Sequence, residues 1–232
     1  MSERFFCESP ISGDSATLTG AEAHHLLHVM RLREGARVVL FDGSGHEFTA
    51  EVQACGRRDV ELAVLAREAI DRETPGPLTL AVALPKGDRQ RWLVEKLTEL
   101  GVATLAPIVT ERAVNKLSDG AAAKLHRAVI EACKQCRRNR LTEIMPPAPW
   151  EVFSADCVTD GAWLLHPTGE PIDDRLASGE TPTTIAVGPE GGFTDDEVVT
   201  AIERGWRAVS MGSRILRTET AAVAAASLAI FR

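Results

Sequence analysis

Two kinds of hydrophobic pattern follow each other along the chain. Short apolar stretches at residues 38–41, 46–52 and 60–65 are bounded by turn-forming residues and predict strands. Before them, residues 24–31 have the spacing of a helix, which Gly35 is placed to end. The first part of the chain is therefore predicted to be a small β unit.

From Leu78 onward, apolar runs alternate with helical periods. The predicted strands are 78–84, 104–109, 162–165, 184–187 and 208–211, and the predicted helices are 88–100, 119–138, 194–204 and 218–231. Such alternation is typical of a mostly parallel sheet covered by helices on both faces. Residues 71–77 are polar and rich in proline and glycine, so we predict one domain over 1–72 and a second over 73–232.

Composition excludes several classes of protein. Of the 232 residues, 44% are hydrophobic and 25% charged, which is ordinary for a globular chain and excludes disordered, collagen-like and coiled-coil proteins. The net charge of -7 argues against a uniformly basic nucleic-acid binder. Within 124–140, however, Lys124, Arg127, Lys134, Arg137, Arg138 and Arg140 face a single acid, Glu131. This segregation of charge predicts one basic face that meets phosphate.

The sequence predicts a cytoplasmic protein with no membrane segment. No apolar run approaches the roughly 20 residues that span a bilayer. The first residues lack the basic region and long apolar core of a signal peptide. Five cysteines are an odd number in a chain that needs no disulfides, which fits reduced thiols.

The strongest local signal is the glycine-rich turn at 188–192, which follows a predicted buried strand. Thr194 and Glu197 are spaced to form a capping box for the next helix. In open α/β sheets ligands bind at the carboxyl ends of strands, and glycine lets them approach the backbone. An ordinary turn between strand and helix is the alternative. Glu190 would repel phosphates, which favours a cationic or sugar-bearing ligand.

Two further strand ends carry related signals. Residues 211–221 lead from a strand into a helix rich in small residues, and residues 165–167 follow a third strand. We therefore expect three loops to converge on one pocket. The small residues also fit a tightly packed core helix, and both interpretations can hold together.

Other motifs are absent or weak. The dinucleotide, P-loop and hydrolase signatures are missing from the sequence. Cys133 and Cys136 form a C-x-x-C pair without a second ligand pair, and His24, His25 and His28 are better explained as structural or exposed side chains. No metal site is predicted.

Six segments together resemble one known family. They are Arg4–Phe6, residues 25–31 leading to 40–43, residues 95–102, residues 131–140, the Gly188-Pro189-Glu190-Gly191-Gly192 turn and the Leu216-Arg217-Thr218-Glu219-Thr220-Ala221 segment. The whole chain resembles the ribosomal RNA small subunit methyltransferase E family of the SPOUT superfamily. The last two motifs are the most specific.

The resemblance implies an α/β fold in which a small PUA-like β-barrel precedes a trefoil-knotted SPOUT methyltransferase domain. General rules of topology favour an unknotted sheet, and the family pattern overrides them here. It also implies a homodimer that transfers a methyl group from S-adenosylmethionine to ring N3 of one uridine in 16S ribosomal RNA of the small subunit.

The motif match also implies roles for individual residues. The cofactor-binding set is Leu165, His166, Pro167, Gly188, Pro189, Glu190, Gly191, Gly192, Met211, Gly212, Ser213, Ile215, Leu216, Thr218 and Thr220. We expect Arg4, Arg31, Arg137 and Arg138 to contact RNA phosphates.

Three residues are candidates for the chemistry itself. Methylation at N3 removes a weakly acidic imide proton, so an arginine near the base would stabilise the developing anion. Arg217 is the first candidate for this role, and Arg140 is a second contribution. Glu219 is predicted either to accept the proton or to orient Arg217, and the sequence does not decide between these roles.

The sequence departs from the family pattern at two places, and two other functions are alternatives to this one. Many relatives carry glycine where this chain has Arg137, and a Cys-Gly pair where it has Ala113 and Val114. A non-enzymatic RNA-binding assembly factor of the same fold would bind no S-adenosylmethionine. A transfer RNA methyltransferase of the same fold would differ only in its substrate.

Overall fold

The computed structural model describes residues 3–113, 119–157, 161–172 and 181–231. The chain divides into two compact units. The first comprises Met1–Glu73 together with Cys133–Leu141, and the second comprises Thr74–Ala132 and Thr142–Arg232. The second crossing of the chain into the first unit was not expected from the sequence.

The first unit contains a five-stranded sheet. Its strands are β1 (Arg4–Phe6), β2 (Ser15–Thr19), β3 (Arg37–Phe41), β4 (His46–Cys55) and β5 (Asp59–Ala69). They lie in the order β1, β3, β4, β5, β2, with β1 parallel to β3 and the other pairs antiparallel. The pairing of β4 with β5 shifts register twice, which is the effect of bulges that curl a sheet.

Buried apolar residues alternate with more exposed residues along these strands and form the core of the first unit. Val38, Leu40 and Phe48 are buried on one face, where they pack with Phe5 and Leu62. The three predicted strands are confirmed, and each is longer than its hydrophobic run. β1 was missed because three residues carry too little periodicity, and β2 because only two of its five residues, Ala16 and Leu18, are apolar.

The helix predicted at 24–31 differs from the observed one. Helix α1 (Gly20–His24) continues as a π-helix over His25–Val29, in which the N–H of Met30 donates to the carbonyl of His25. Arg31 then adopts a left-handed backbone with a φ of 54°. The prediction that Gly35 ends the helix is therefore wrong.

Mostly buried charged groups hold the segment 133–141 in the first unit. Arg4 Nη1 lies 2.5 Å from Glu47 Oε1, and Arg72 Nη1 reaches the same oxygen at 2.8 Å. Arg4 Nη2 also donates to the carbonyl of Arg138 at 3.0 Å and to the side-chain oxygen of Asn139. Both terminal nitrogens of Arg4 thus have partners inside the unit.

Arg138 makes a comparable internal pair. Its Nη2 lies 2.5 Å from Glu73 Oε2 and its Nε donates to Glu73 Oε1 at 3.1 Å, a bidentate arrangement. The side chains of Arg4 and Arg138 are only 9% and 4% exposed. Because both guanidinium groups are buried against acidic partners, the structure argues against the expected phosphate contacts of Arg4 and Arg138.

The second unit is built on a parallel sheet, as predicted. Its strands are β6 (Leu78–Val82), β7 (Thr104–Val109), β8 (Glu143–Ile144), β9 (Ala148–Pro149), β10 (Ala162–Pro171), β11 (Thr183–Val187) and β12 (Arg207–Ser210). They are ordered β12, β10, β11, β6, β7, β8, with every observed pair parallel, and β9 pairs with the end of β7.

Five helices accompany this sheet in the described part of the chain. They are α2 (Asp88–Leu100), α3 (Asp119–Cys136), α4 (Trp150–Asp156), α5 (Asp195–Glu203) and α6 (Thr218–Ile230). All but α4 were predicted to within a few residues. None of the helices within the described ranges is long and apolar enough to cross a bilayer.

An aromatic cluster explains the missed helix α4. Trp150 is buried, and its ring lies 5.0 Å from the rings of both Phe193 and Trp206. A helix of seven residues depends on such packing rather than on its own periodicity. Phe193 belongs to the turn that follows β11, so the cluster also fixes the far end of that turn.

We expect Glu47→Gln to lower the free energy of unfolding at pH 7 by about 2–4 kcal/mol, because two arginines lose their charged partner in a mostly buried position. Burial alone raises the pKa of Glu47, but hydrogen bonds from Arg4 and Arg72 outweigh it and hold the pKa below its ordinary value. Such a group stabilises the fold above its unfolded pKa of about 4.3 and loses this contribution as the pH falls through the folded value.

Urea unfolding between pH 7 and about pH 3 measures this effect, since the difference between wild type and variant shrinks only in the acid range. Glu51→Gln on the same strand is the control, because its partner Arg37 is 71% exposed at 3.6 Å. The control is expected to change stability by less than about 1 kcal/mol. A constant difference at every pH contradicts the assigned role of Glu47.

Candidate functional site

A cavity of about 340 Å³ lies at the carboxyl ends of β11 and β12 and beside residues 165–167 of β10. We call it the first cavity. Three stretches of chain line it, at 165–167, 187–193 and 209–216 without Ser213, together with Arg112, Thr218 and Ala221. Parallel pairing aligns these three stretches, because Leu165 lies opposite both Val187 and Val209. The three predicted stretches therefore converge on one cavity, although the first of them lies within a strand and not in a loop.

Nearly all the residues predicted for cofactor binding line the first cavity. Ser213 and Thr220 are the two that do not. Arg217 is exposed at the start of α6, and neither Arg217 nor Glu219 lines the cavity. That the lining residues bind a cofactor stays a prediction, but their placement around one cavity is a feature of the structure.

The glycine-rich turn has a shape that other residues would not allow. A Cβ on Gly188 would lie 3.0 Å from the ring of Phe193, and Gly192 has a φ of 69°. The predicted capping box is confirmed, since Glu197 N–H donates to Thr194 Oγ1 and Thr194 N–H donates to Glu197 Oε2. The turn thus runs directly into a firmly capped helix.

One hydrogen bond joins the first turn of α6 to this turn. The hydroxyl of Thr218, which is buried, donates to the carbonyl of Gly188 at 3.0 Å. Ala221, one turn further along α6, lines the cavity. The start of α6 is therefore held against the glycine-rich turn where both line the cavity.

Residues 165–167 are not the simple loop that was predicted. They lie within β10, whose pairing with β12 is irregular because Val209 lies opposite both Leu165 and Glu170. The intervening residues form a bulge that turns His166 and Pro167 toward the cavity. A Cβ on Gly169 would lie 2.5 Å from the backbone nitrogen of Val209, so only glycine permits this approach.

Arg112 lines the first cavity and was missed. Its Nη1 donates to the carbonyl of Gly191 at 2.9 Å and to that of Phe193 at 3.4 Å. Its neighbour Glu111 donates its N–H to Glu197 Oε1 at 2.9 Å. The only signal in the sequence was the position of Arg112 just after β7, at the same edge of the parallel sheet.

A second cavity of about 200 Å³ adjoins the first. It lies at the carboxyl ends of β6 and β7, and we call it the second cavity. Pro189 and Glu190 line both cavities and form the wall between them. The sequence offered no motif for this site.

Glu219 lies in the first turn of α6 and is almost fully buried, at 7% exposure. Its Oε1 is 3.6 Å from Arg89 Nη1, and Arg89 Nη2 is 3.3 Å from Glu190 Oε1. Its Oε2 has no hydrogen-bond partner among the described residues. The ion pair of Glu219 is therefore with Arg89, which lines the second cavity, and not with the predicted Arg217.

The other predicted arginines lie in the first unit. Arg31, Arg137 and Arg140 are exposed, and the guanidinium of Arg140 lies beside Gly45. Arg137 has a φ of 67°, a conformation that favours glycine, which is the residue that many relatives were expected to carry there. Val114, the other departure, lies outside the described residues.

The remaining candidates are the cysteine pair and the histidines at 24–28. Burial raises the pKa of the Cys133 thiol to about 12, and its Sγ donates to the carbonyl of Arg140. The ring centroids of His24 and His28 lie 4.8 Å apart, with the two rings tilted by 49°. Across the described ranges, no group of three or more His, Cys, Asp or Glu is placed to hold a metal ion.

Comparisons with known proteins match both parts of the chain. Residues 72–230 match a family model described as an RNA methyltransferase domain, and residues 18–65 match an RNA methyltransferase PUA domain. A ribosomal RNA small subunit methyltransferase E of Synechocystis is 34% identical over 89% of this chain and 70% of its own length. That of Bacillus subtilis is 32% identical over 91% of this chain and 88% of its own length.

A solved structure adds to this likeness. The ribosomal RNA small subunit methyltransferase E of Neisseria gonorrhoeae, bound to S-adenosyl methionine, is 31% identical with a TM-score of 0.88. The match covers 98% of this chain and 96% of that one. The similarity thus extends over both units and not only over the parallel sheet.

We expect Arg112→Ala to loosen the turn at 188–193. Loss of its two contacts with backbone carbonyls removes about 1–2 kcal/mol of local stability, so amide hydrogen exchange at Gly192 should accelerate by about 10-fold. Arg127→Ala is the control, because Arg127 donates to a carbonyl of its own helix and does not line the first cavity. Equal exchange in wild type and Arg112→Ala would show that Arg112 does not hold the turn.

Proposed function

Since the chain belongs to the ribosomal RNA small subunit methyltransferase E family, we propose that it transfers a methyl group from S-adenosylmethionine to ring N3 of a uridine in 16S ribosomal RNA. The observation that carries the proposal is the convergence of three stretches of chain, from β10, β11 and β12, on the first cavity. Family membership supports RNA methylation, and the choice of uridine N3 rests on the resemblance of the motifs.

The residues of the first cavity fit S-adenosylmethionine. When bound, this molecule supplies an electrophilic methyl group on a positively charged sulfur. Gly188 and Gly191 offer bare backbone where a Cβ would meet Phe193 or Arg112, and Met211, Ile215 and Leu216 offer apolar surface. The relative from Neisseria gonorrhoeae supports the assignment, because it was solved with this molecule bound.

The target nitrogen sets the requirements on the protein. A uridine in folded RNA has to leave its base stack to reach a cavity, and its N3 has to lose a proton to become a nucleophile. The protein then has to hold N3 in line with the methyl group and stabilise negative charge on the ring. The first cavity supplies the donor side of this arrangement only.

We further propose that the first unit binds RNA and that the protein acts in the cytoplasm, where ribosomal RNA is found. Arg31 and Arg137 remain candidates for phosphate contacts because they are exposed. Arg140 and Arg217 are also exposed, and we retain both as candidates near the target nucleotide.

The knot and the homodimer implied by the resemblance are proposals as well. β12 is an edge strand of the sheet. The helix that follows it, α6, packs against α2, β6 and β11, which lie nearer the middle of the sheet. The chain therefore turns back over the sheet between β12 and α6. The small residues of α6 suit such close packing. A dimer is tested by sedimentation, and a fully active monomer would contradict it.

The proposed reaction is tested by incubating the protein with labelled S-adenosylmethionine and small ribosomal subunits that lack the modification. We expect label in 3-methyluridine after nucleoside analysis. Naked ribosomal RNA and transfer RNA serve as comparison substrates. No label in any of them would overturn the reaction, and label only in transfer RNA would overturn the substrate.

Occupancy of the first cavity is tested separately with Ala221→Leu. The larger side chain projects from a residue that lines the cavity and should weaken binding of S-adenosylmethionine by at least about 10-fold, measured by calorimetry. Ala224→Leu is the matched control, since Ala224 lies on the same helix, is also half-buried and does not line the cavity. Equal loss of affinity in both variants would place the binding site elsewhere.

A further inference from the structure

If the first cavity holds the methyl donor, the second cavity lies where the methyl acceptor would have to bind. It shares the wall formed by Pro189 and Glu190 with the first cavity, and both open at the carboxyl edge of one sheet. At about 200 Å³ it is smaller than the roughly 300–1,000 Å³ of sites for whole drug-sized ligands, and its size fits a single ring system.

The lining of the second cavity has two chemical halves. Ala83, Leu84 and Ile108 are buried and give it an apolar floor. Lys86 and Arg89 supply positive charge, and both are exposed to solvent. A nucleotide has matching halves, a flat base and an anionic phosphate.

Arg89 is held in place by two carboxylates. Glu219 provides a nearly buried anchor at 3.6 Å, and Glu190 provides a half-exposed one at 3.3 Å. A nearly buried carboxylate is costly unless a cation compensates it, and Arg89 is that cation. Arg89 is also the arginine that lines the second cavity among the described residues, whereas Arg217 lines neither cavity.

We propose that the second cavity is the subsite for the target uridine, in which Lys86 meets a phosphate and Arg89, positioned by Glu219, stabilises negative charge on the ring. This inference rests on the proposed function. Glu219 is then a positioning residue rather than the proton acceptor.

Among the described residues, Glu190 is the carboxylate that lines this cavity, and we assign to it the role of proton acceptor. The N3–H bond breaks and its proton passes to Glu190, while the N3 electron pair forms the bond to the methyl carbon. The bonding pair between carbon and sulfur stays on sulfur, which becomes neutral. Once protonated, Glu190 no longer neutralises Arg89, so the positive charge of Arg89 is available to the ring oxygens at the moment when they need it.

The first test measures binding without chemistry. Uridine 5′-monophosphate is titrated into the protein and amide resonances are followed by nuclear magnetic resonance. We expect saturable shifts at Leu84, Lys86 and Arg89, which Ala113→Phe abolishes by filling the second cavity. Ala113→Phe should leave the affinity for S-adenosylmethionine unchanged. Absence of saturable shifts at these residues would overturn the subsite.

The second test separates binding from catalysis with kinetics on small ribosomal subunits. Lys86→Ala should raise KM for the subunit roughly 5-fold with little change in kcat. Arg89→Ala should lower kcat about 100-fold, as does removal of an anion-stabilising donor elsewhere. The matched controls are Lys96→Ala and Arg91→Ala, whose side chains pair with Glu99 and Glu95 on the same helix α2 and line neither cavity.

A double-mutant cycle tests the positioning role. Glu219→Gln alone should lower kcat, but in the Arg89→Ala background it should have little further effect, because its action passes through Arg89. Additive losses would overturn that role. If the wild-type protein binds S-adenosylmethionine and uridine 5′-monophosphate as expected but transfers no methyl group, the proposed reaction fails and the subsite stands. If methyl transfer proceeds at the wild-type rate in Arg89→Ala, the proposed reaction stands and the proposed role of Arg89 in the subsite fails.

Discussion

Parallel pairing of the strands in the second unit is the constraint on which the candidate site depends. When neighbouring strands run in the same direction, their carboxyl ends meet at one edge, and every loop that leaves that edge can contribute to the same site. Here β12, β10, β11, β6 and β7 are consecutive neighbours. The two cavities lie side by side along this edge, with the glycine-rich turn after β11 between them. The ends of β11 and β12 and the bulge of β10 contribute to the first cavity, and the ends of β6 and β7 contribute to the second.

Local interactions then fix each stretch against its neighbour. The hydroxyl of Thr218 holds α6 to Gly188, and Arg112 holds the turn from its other side. Phe193 anchors the end of the turn in the aromatic cluster with Trp150 and Trp206. A site built in this way is largely formed before any ligand arrives, which limits the ordering that binding has to impose.

The sequence predicted those parts of the molecule that have local signatures. The parallel sheet followed from alternating periods, and the turn at 188–192 followed from its glycines and its capping box. Partners distant in sequence were beyond such reasoning. Arg4 and Arg138 looked like surface cations because Glu47 and Glu73, their partners, lie 43 and 65 residues away. Arg89 and Arg112 have no motif, and their positions follow only from the order of the strands. The π-helix at His25–Val29 was read as an α-helix, because both present apolar residues at nearly the same spacing.

The central claim is that the two cavities hold the methyl donor and its acceptor on either side of Pro189 and Glu190. A crystal structure of the protein with S-adenosylmethionine and uridine 5′-monophosphate tests it most directly. The account predicts the donor in the first cavity, and the uracil ring in the second cavity with Arg89 at a ring oxygen. A nucleotide bound elsewhere, with Arg89 still paired to Glu190 and the second cavity empty, would contradict it.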